Sequence, residues 1–467
     1  MSQSLPRRFG GHLQAVPESR RRPRRDQTVT YRVRVELADV EPLVWRQIEI
    51  ASDLTLDKVH RVLQTVLGWT DSHLHEFSRG SEPHERSAER YLMAFSVEDG
   101  AVGIDERRVR LDEVLVEPGD RLWYQYDFGD DWTHALDLEA VLPHDPSAPP
   151  ARCLSGERAC PPEDCGGIGG YEDLRRVLAG PPGPERDEMR LWTGPDFDPA
   201  RFDADAVDAA LAATVGLRAP EIDPDSPLGD LLAHIGIPPL IAATLDALAD
   251  PAPTITAADR ADAVRHYSRL LDRVADDGIA LTQAGYLPPA HVAELSVELG
   301  LDHTWIGKNN REVNTYPVLD FRESAQGLGL LRKLRNRLLL TKAGKRAQRD
   351  PEYLWQHIAD ALPLSLAARG PEAEAGQQAG TLLLLAVAAG LSKSKRDEIV
   401  ATGLSAHGWQ DGDGNPISAS HANHLASRTS AVLGFARAMP SPHVWPEPSD
   451  QSIPAAGVAL SRTALGL

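Results

Sequence analysis

Two hydrophobic periodicities predict the first elements of the chain. Along residues 31–37, YRVRVEL, apolar side chains alternate with charged ones, which is the pattern of a half-buried strand. Along residues 56–67 the apolar side chains recur three and four positions apart, which predicts an amphipathic helix. Thr55 is the expected N-cap of this helix, and Gly68 is its expected stop.

The later patterns predict an α+β domain followed by a helical one. Residues 121–127 and 133–141 are extended runs joined by the polar turn FGDD, so they predict a hairpin. Helical patterns in YEDLRRVLAG and FDADAVDAALAAT close this unit near residue 214. The predicted fold class is an α+β N-terminal domain of mixed strands with packed helices, followed by a mainly α-helical C-terminal domain containing a winged-helix-like segment.

Composition shifts complete the predicted organisation. The first residues are rich in arginine, proline and glycine, which is typical of a disordered basic tail. Proline and aspartate are frequent after the first domain, which favours a connection. The predicted segments are a disordered basic tail (1–28), the α+β domain (29–214), a connecting segment (215–254), the mainly helical domain (255–440) with the winged-helix-like segment at about 289–349, and a flexible C-terminal tail (441–467).

Length, charge and cysteine content narrow the class of protein. At 467 residues the chain is too long for one core, and a net charge of −19 argues against a protein coated in nucleic acid but leaves room for a local basic patch. The longest apolar run, residues 381–391, is too short to cross a bilayer, and the start of the sequence lacks an apolar signal core. We therefore predict a cytoplasmic protein with no membrane partner, whose three cysteines are reduced.

All three cysteines lie in CLSGERACPPEDCGG, residues 153–167, with the spacing C-x6-C-x4-C. Three thiolates this close could share one tetrahedral zinc ion with a histidine. The predicted metal ligands are Cys153, Cys160, Cys165 and His134. Packing of the thiols as small apolar groups explains the same residues, and a redox site is the third interpretation, although C-x-x-C is absent. The following GGIGG is interpreted as loop flexibility.

A second constellation lies in YDFGDDWTH, residues 126–134. Its central glycine and aspartates are favourable turn residues, so a structural hairpin turn is one interpretation. The alternative is a metal-dependent hydrolase or nuclease, because HLHEF supplies two further histidines on one predicted strand face. The residues of that alternative site are His73, His75, Asp127 and His134.

A basic stretch in the second domain is the strongest nucleic-acid signal. Residues 328–349 contain eight basic residues and no acidic one. Two helices followed by a basic extended pair, with a turn near Arg335-Asn336, are similar to a winged helix-turn-helix. The predicted residues for contacts with DNA or RNA phosphates are Arg332, Lys333, Arg335, Arg337, Lys342, Lys345 and Arg346. Asp320 and Glu323 in the expected recognition helix disfavour base readout.

Four motifs in this order resemble the plasmid pRiA4b ORF-3-like family: YRVRVELADVEPLVWRQIEI, GWTDSHLHEF, YDFGDDWTH and CLSGERACPPEDCGG. The resemblance runs from about residue 27 to residue 214. It implies a bacterial protein with the α+β fold of that family, some of whose members lie near mobile elements. It does not by itself imply an activity.

These observations predict a non-enzymatic nucleic-acid-associated or regulatory protein. The first alternative is the metal-dependent hydrolase or nuclease, and the second is a structural protein-interaction module. Zinc is the only cofactor that the residues predict.

Overall fold

The structure is a computed structural model that describes residues 19, 21–194, 196–214, 216–233, 237–301, 309–440 and 452–467. Its contacts divide the chain into two compact units, Met1–Leu217 and Arg218–Leu467. The predicted order of an α+β domain and a mainly helical domain is confirmed, since a mixed sheet with helices is followed by a mostly helical region, and the winged-helix-like segment stays a prediction. Much of the predicted basic tail (1–28) and part of the predicted C-terminal tail (441–467) lie outside the described residues.

The first unit contains the strands β1 (Val29–Leu37), β2 (Trp45–Ala51), β3 (His75–Arg79), β4 (Glu89–Leu92), β5 (Ile104–Asp105), β6 (Arg121–Tyr126), β7 (Trp132–Pro143) and β8 (Ala151–Glu157). Its helices are α1 (Leu56–Leu67), α2 (Ala94–Glu98), α3 (Leu111–Val114), α4 (Gly167–Ala179), α5 (Pro184–Thr193) and α6 (Ala204–Ala213), with a short 3-10 turn at Glu106–Arg108.

The eight strands form one sheet in the order β5-β4-β3-β6-β7-β1-β2-β8. β4 and β5 are parallel, and the other neighbours are antiparallel. The alternation in β1 has the predicted effect: Tyr31, Val33 and Val35 are buried, while the residues between them are half-buried. The predicted hairpin is confirmed, because β6 pairs with β7 across the turn.

Helix α1 follows the bounds that its sequence predicts. Its apolar face, including Leu56, Val59 and Leu63, is buried. Gly68 adopts a left-handed conformation at φ +81° and ends the helix, as expected for a glycine C-cap. Thr55 occupies the N-cap position, although its hydroxyl makes no capping hydrogen bond in the described structure.

The cysteine segment is more regular than its sequence suggested. It contains β8, an edge strand that pairs with β2. GGIGG forms the first turn of α4, and a Cβ atom on Gly170 would lie 1.8 Å from the carbonyl oxygen of Cys165. The flexibility interpretation of GGIGG is therefore wrong, because close packing requires glycine at this position.

The described end of the basic tail is docked on the first unit. Arg24 Nε donates to Glu113 at 3.1 Å, and Arg25 Nε donates to the Tyr31 hydroxyl at 2.9 Å. The backbone N–H of Arg25 also donates to Asp112 at 3.2 Å. The predicted disorder thus does not extend to residues 21–28, because these arginines have carboxylate and hydroxyl partners near α3.

The second unit contains the helices α7 (Pro227–Ala233), α8 (Pro239–Asp246), α9 (Ala257–Ala263), α10 (Arg265–Val274), α11 (Pro289–Glu298), α12 (Tyr316–Gly327), α13 (Lys342–Ala347), α14 (Pro351–Ala361), α15 (Pro371–Ala388), α16 (Lys393–Ala406), α17 (Ala419–Leu425), α18 (Ser427–Phe435) and α19 (Ala455–Leu465). Short 3-10 turns lie at Ala247–Ala249 and Glu312–Asn314. The strands β9 (Ile279–Ala280), β10 (Leu331–Leu334) and β11 (Arg337–Leu340) form a sheet in the order β10-β11-β9.

The core of the second unit draws on segments that the sequence assigned to a connection and a tail. Leu228 of α7 and Ile241 of α8 are fully buried, so residues 215–254 include parts of this core. Leu460 of α19 is also fully buried, and α19 packs against α14 and α15. The predicted connection and the described part of the predicted tail therefore contribute to the core, because each contains a short helix with a buried apolar side chain.

The longest apolar run of the sequence lies largely in α15, whose residues from Ala379 onward are buried in the core. None of the helices in the described ranges is long and apolar enough to cross a membrane.

Candidate functional site

Histidines and carboxylates cluster in the first unit where β3 begins and β6 ends. Two groups in the described chain bring their potential ligand atoms within 4.8 Å of one another. The first group is His60, Asp71 and His75, and the second is His73, Asp127 and Asp164.

The first group is a hydrogen-bonded pair of stacked imidazoles. His60 on α1 and His75 on β3 have ring centroids 3.5 Å apart and planes 4° apart. His60 Nε2 lies 2.9 Å from Asp71 Oδ1, and His75 Nε2 lies 2.9 Å from Glu106 Oε2. Each ring has its own carboxylate partner at Nε2, while Nδ1 of His75 is buried and has no hydrogen-bond partner in the described structure.

Tyr124 and Gln64 fix the orientation of His60. The Tyr124 hydroxyl accepts a hydrogen bond from Gln64 Nε2 at 3.0 Å, so its own O–H donates to His60 Nδ1 at 2.8 Å. His60 Nε2 is then left to donate to Asp71. Burial lowers the pKa of His60, and the neighbouring His75 lowers it further. Burial also raises the pKa of Tyr124 well above its usual value, so the tyrosine keeps its proton.

In the second group, His73 faces two carboxylates from distant parts of the chain. His73 Nε2 lies 3.2 Å from Asp164 Oδ1 and 3.6 Å from Asp127 Oδ2. This nitrogen is shielded from solvent and has no hydrogen-bond partner in the described structure. Asp127 Oδ1 accepts the backbone N–H groups of Gly129 and Asp130. The other oxygen of Asp127 therefore faces the histidine.

The four predicted zinc ligands lie in different surroundings. Cys153 is on β8, and the thiol of Cys160 accepts a hydrogen bond from Nη2 of the buried Arg46 at 3.3 Å. Cys165 lies just before α4, and His134 is fully buried on β7. In the described chain, no three of these four ligand atoms come within 4.8 Å of one another. Zinc binding by this set stays a prediction that the observed geometry does not support.

Burial shifts the pKa values of these residues. Burial raises the pKa of Cys153 to about 11 and that of Cys165 to about 12, and the charge of Asp130 adds to the second effect. Burial lowers the pKa of His134 to about 3, and neither of its ring nitrogens has a hydrogen-bond partner in the described structure. At neutral pH these groups are uncharged, which is the behaviour of packed core residues.

The predicted hydrolase site is divided between different environments. His73 and Asp127 approach each other, but His75 pairs with Glu106 and stacks on His60. His134 packs edge-on against Trp69 at 5.2 Å between ring centroids. The four residues predicted for that site therefore do not share one coordination sphere.

The basic stretch of the second unit forms a hairpin and a short helix. β10 pairs with β11 from Leu331↔Leu340 to Leu334↔Arg337, so the turn falls at the predicted Arg335-Asn336. Arg332 and Lys333 are on β10, Arg337 is on β11, and Lys342, Lys345 and Arg346 are on α13. All seven predicted residues are exposed.

Some of these cations already have partners. Lys345 forms an ion pair with Asp276 at 2.7 Å, and Arg337 Nη2 donates to the carbonyl oxygen of Gly278 at 3.1 Å. Lys333 Nζ lies 3.4 Å from the carbonyl oxygen of Gly285, and the guanidinium of Arg346 lies over the Tyr353 ring. The side chains of Arg332, Arg335 and Lys342 make no hydrogen bond or ion pair with the described residues.

Helix α12, which the sequence predicts to be a recognition helix, offers little positive charge. Arg322 is buried, and its Nε donates to Glu312 at 2.6 Å. Glu323 pairs with Arg428 at 2.7 Å, and Asp320 is half-buried. The accessible cations are therefore on the hairpin and not on the helix.

The fold and these clusters define a two-unit protein with a mixed-sheet domain that holds a buried histidine network. The family model for plasmid pRiA4b ORF-3-like protein matches residues 29–206. The uncharacterized protein y4hQ of Sinorhizobium fredii (strain NBRC 101917 / NGR234) is 35% identical over 174 residues, which are 36% of this chain and 84% of that protein. The chain therefore belongs to the plasmid pRiA4b ORF-3-like family, as its motifs predicted.

A solved structure is also similar to this chain. The protein of unknown function MM3350 from Methanosarcina mazei Go1 is 30% identical, with a TM-score of 0.34. The match covers 38% of this chain and 97% of that protein.

Sequence reasoning missed several residues of the cluster. His60 occupies the apolar face of α1, and Arg46 occupies the buried face of β2, so both break a periodicity that is readable in the sequence. Asp71, Glu106 and Asp164 carry no such signal. They join the cluster through turns that only the folded chain brings together.

Proposed function

We propose that the second unit binds nucleic acid through the β10–β11 hairpin and the start of α13, and that the protein has a non-enzymatic, nucleic-acid-associated or regulatory role. The observation that carries this proposal is the local charge. All eight basic residues of 328–349 are exposed and no acidic residue lies among them, in a chain with a net charge of −19. A patch of this kind attracts a polyanion although the whole molecule repels it.

The order of elements supports a winged-helix-like module. The chain runs from α10 through β9, α11 and α12 to the hairpin, and β9 pairs with β11. Arg273 pairs with Glu294, and His266 lies 3.1 Å from Glu298, which ties α10 to α11. In such a module α12 would take the recognition position and the hairpin would be the wing.

The tip of the hairpin places an arginine in a backbone conformation that arginine rarely adopts. Arg335 and Asn336 have φ values of +47° and +59°, a geometry that favours asparagine followed by glycine in a two-residue turn. An arginine at the first position costs conformational energy that asparagine or glycine would avoid. Such violations are expected where a side chain serves a function, and here the side chain is exposed and without a partner in the described structure.

The proposed contacts are to phosphates and not to bases. The cations are on the hairpin and α13, whereas α12 offers acidic side chains and a buried arginine. Phosphate contacts fix position without reading sequence, so we expect binding that varies little with base sequence.

The test is binding of the full chain to a random-sequence DNA duplex, measured by fluorescence anisotropy from 50 to 300 mM salt. We expect log K to fall linearly with log salt. The triple variant Arg332→Gln, Arg335→Gln, Lys342→Gln removes three charges, so the slope should become less steep by about 2 to 3. The control variant Arg152→Gln, Arg190→Gln, Arg369→Gln removes three exposed arginines elsewhere and should leave the slope unchanged.

Three outcomes would contradict the proposal. These are binding that does not respond to salt, absence of binding at 50 mM salt, and equal losses in the two triple variants. Absence of binding would favour the protein-interaction role. Tighter binding to an RNA duplex than to DNA would keep the hairpin as the contact and change the identity of the nucleic acid.

A further inference from the structure

Three distant segments of the first unit meet at His73. The histidine lies two residues before β3, Asp127 directly follows β6, and Asp164 lies three residues before α4. Their potential ligand atoms all lie within 4.8 Å of one another. We propose that His73 Nε2, Asp127 Oδ2 and Asp164 Oδ1 bind a divalent transition-metal ion of the zinc type, and that this ion joins the cysteine segment to the β6–β7 turn.

The hydrogen bonds leave the proposed ligand atoms available. Asp127 uses Oδ1 for the two backbone N–H groups of its own turn, at 2.9 and 3.3 Å, which leaves Oδ2 toward His73. His73 Nε2 is within 3.6 Å of both carboxylates but forms a hydrogen bond with neither. A shielded nitrogen that lies between two carboxylates and forms a hydrogen bond with neither can direct its lone pair at an ion held among the three groups.

The spacing suits a small coordinated ion. Nitrogen and oxygen ligands lie about 2.0–2.2 Å from zinc, so two ligands of a tetrahedral site are about 3.4 Å apart. The distances from His73 Nε2 to the two carboxylate oxygens are 3.2 and 3.6 Å. An imidazole with two carboxylates favours zinc and its neighbours over calcium or magnesium, which prefer oxygen alone.

The local charge favours a cation. Asp127, Asp164 and the nearby Asp130 place three carboxyl groups beside a single imidazole, an arrangement in which acidic side chains outnumber basic ones. Asp130 Oδ2 accepts the backbone N–H of Gly166 at 3.1 Å, and Asp130 is not among the residues whose potential ligand atoms lie within 4.8 Å of one another. Cys165 follows Asp164 in the chain, but its sulfur is not among the atoms that lie within 4.8 Å of one another, so His73, Asp127 and Asp164 are the proposed protein ligands.

The neighbouring stacked pair does not offer an equivalent site. The rings of His60 and His75 are parallel to within 4°, so their in-plane lone pairs cannot converge on one ion. Both nitrogens of His60 also have hydrogen-bond partners, namely Tyr124 and Asp71. The first group is thus a hydrogen-bond network, and the second is the metal site.

The test is titration of the metal-free full chain with Zn²⁺ by calorimetry, with Co²⁺ as a visible-absorption probe of coordination. We expect one tight site per chain that millimolar Mg²⁺ or Ca²⁺ does not occupy. Asp164→Asn is the principal variant because this side chain is 75% exposed and its loss should not disturb folding. Loss of an outer-shell partner typically weakens metal binding about 10- to 100-fold, so loss of this ligand should raise the Kd at least about tenfold.

Matched controls separate this site from its neighbours. Asp131→Asn changes another exposed aspartate, which lies in the β6–β7 turn. His84→Ala removes the histidine whose Nε2 lies 3.6 Å from Asp131 Oδ1. Both should leave the Kd unchanged, whereas His73→Ala should raise it. Zn²⁺ should also raise the Tm of the unmodified chain more than that of Asp164→Asn at the same Zn²⁺ concentration, because the ion links separate segments and the variant binds it more weakly.

Several results would overturn the proposal. One is the absence of stoichiometric Zn²⁺ binding. Another is an unchanged Kd in both Asp164→Asn and His73→Ala. A third is loss of binding in Cys153→Ala or Cys160→Ala but not in Asp164→Asn, which would favour the cysteine set.

Discussion

The histidine cluster of the first unit and the basic hairpin of the second differ in whether their polar side chains have partners inside the protein. In the first unit His75 and Glu106 are buried together, and His60 is held by Asp71 and a tyrosine hydroxyl. On the hairpin the side chains of Arg332 and Arg335 are exposed and without internal partners in the described structure. Groups that are paired internally contribute to the fold, whereas groups left unpaired at the surface are available to a partner.

If internally paired groups stabilise the fold, the largest loss of stability should follow from breaking a buried ion pair, and the second unit contains one. Arg322 Nε donates to Glu312 at 2.6 Å, and their side chains are 8% and 0% exposed. Arg322→Leu would leave a buried carboxylate without its cation and should lower the free energy of unfolding by about 3–5 kcal/mol. Urea unfolding measures this value.

The exposed Arg332 provides the matched control. Arg332→Leu should change the free energy of unfolding by less than about 0.5 kcal/mol. The double variant Arg322→Leu, Glu312→Leu should recover part of the loss because no unpaired charge remains. Equal effects of Arg322→Leu and Arg332→Leu would show that burial does not separate the two kinds of cation.

The second prediction concerns acid stability and tests whether His134 is a core residue. Burial lowers its pKa from 6.5 to about 3, so between these values the unfolded chain binds a proton that the folded chain does not. The free energy of unfolding is therefore highest above the unfolded pKa and falls as the pH drops below it. At pH 4 the burial of His134 should lower the free energy of unfolding by roughly 2–4 kcal/mol relative to pH 7.

His134→Phe should remove that loss. Its free energy of unfolding, measured by urea unfolding from pH 7 to pH 4, should fall less steeply than that of the unmodified chain. His134→Leu serves as a second variant if the larger ring does not fit beside Trp69. If the free energy of unfolding fell equally with pH in the variant and the unmodified chain, His134 would not be a buried neutral residue. Loss of bound zinc in either variant would favour the predicted cysteine and histidine site.

Much of the fold was predictable because its signals are local. The alternation in β1, the period of α1 and the turn residues of the β6–β7 hairpin each act over a few residues, and each produced the predicted element. The segments around Leu228 and Leu460 were misassigned because a short apolar helix is recognisable as core only when its neighbours are known.

The candidate sites were predictable only in part. The basic hairpin is contiguous in sequence, so its turn was predicted at the correct residues. The metal group joins His73, Asp127 and Asp164 across about 90 residues, and the spacing of cysteines pointed instead to a set that the fold separates. Pairing of β3 with β6 brings the first two residues together, and no periodicity in the sequence specifies that neighbour.

The third prediction tests the close packing that holds Asp164 and Cys165 in place. A Cβ atom on Gly170 would lie 1.8 Å from the carbonyl oxygen of Cys165, so Gly170→Ala should cost about 1–3 kcal/mol of stability. The neighbouring Gly169 has open space at its Cβ position within the same helix. Gly169→Ala should therefore stabilise the protein by up to about 1 kcal/mol.

Thermal and urea unfolding of both glycine variants measure this difference. If Gly170→Ala and Gly169→Ala behaved alike, the turn that presents Asp164 would not be held by backbone packing. If Gly170→Ala also weakened Zn²⁺ binding while Gly169→Ala did not, the packing would be linked to the proposed metal site.

The smallest expected change in stability is at the tip of the hairpin. Arg335 adopts φ +47°, a conformation that asparagine tolerates better than arginine, so Arg335→Asn should raise the free energy of unfolding by no more than about 0.5 kcal/mol. The same substitution removes one phosphate contact, so the salt slope of duplex binding should become less steep by about 0.9. Arg369→Asn, at an exposed position elsewhere in the unit, should change neither quantity. A gain in stability together with a loss of binding would mean that this residue is kept for a partner and not for the fold, and a loss of stability without a change in binding would reverse that assignment.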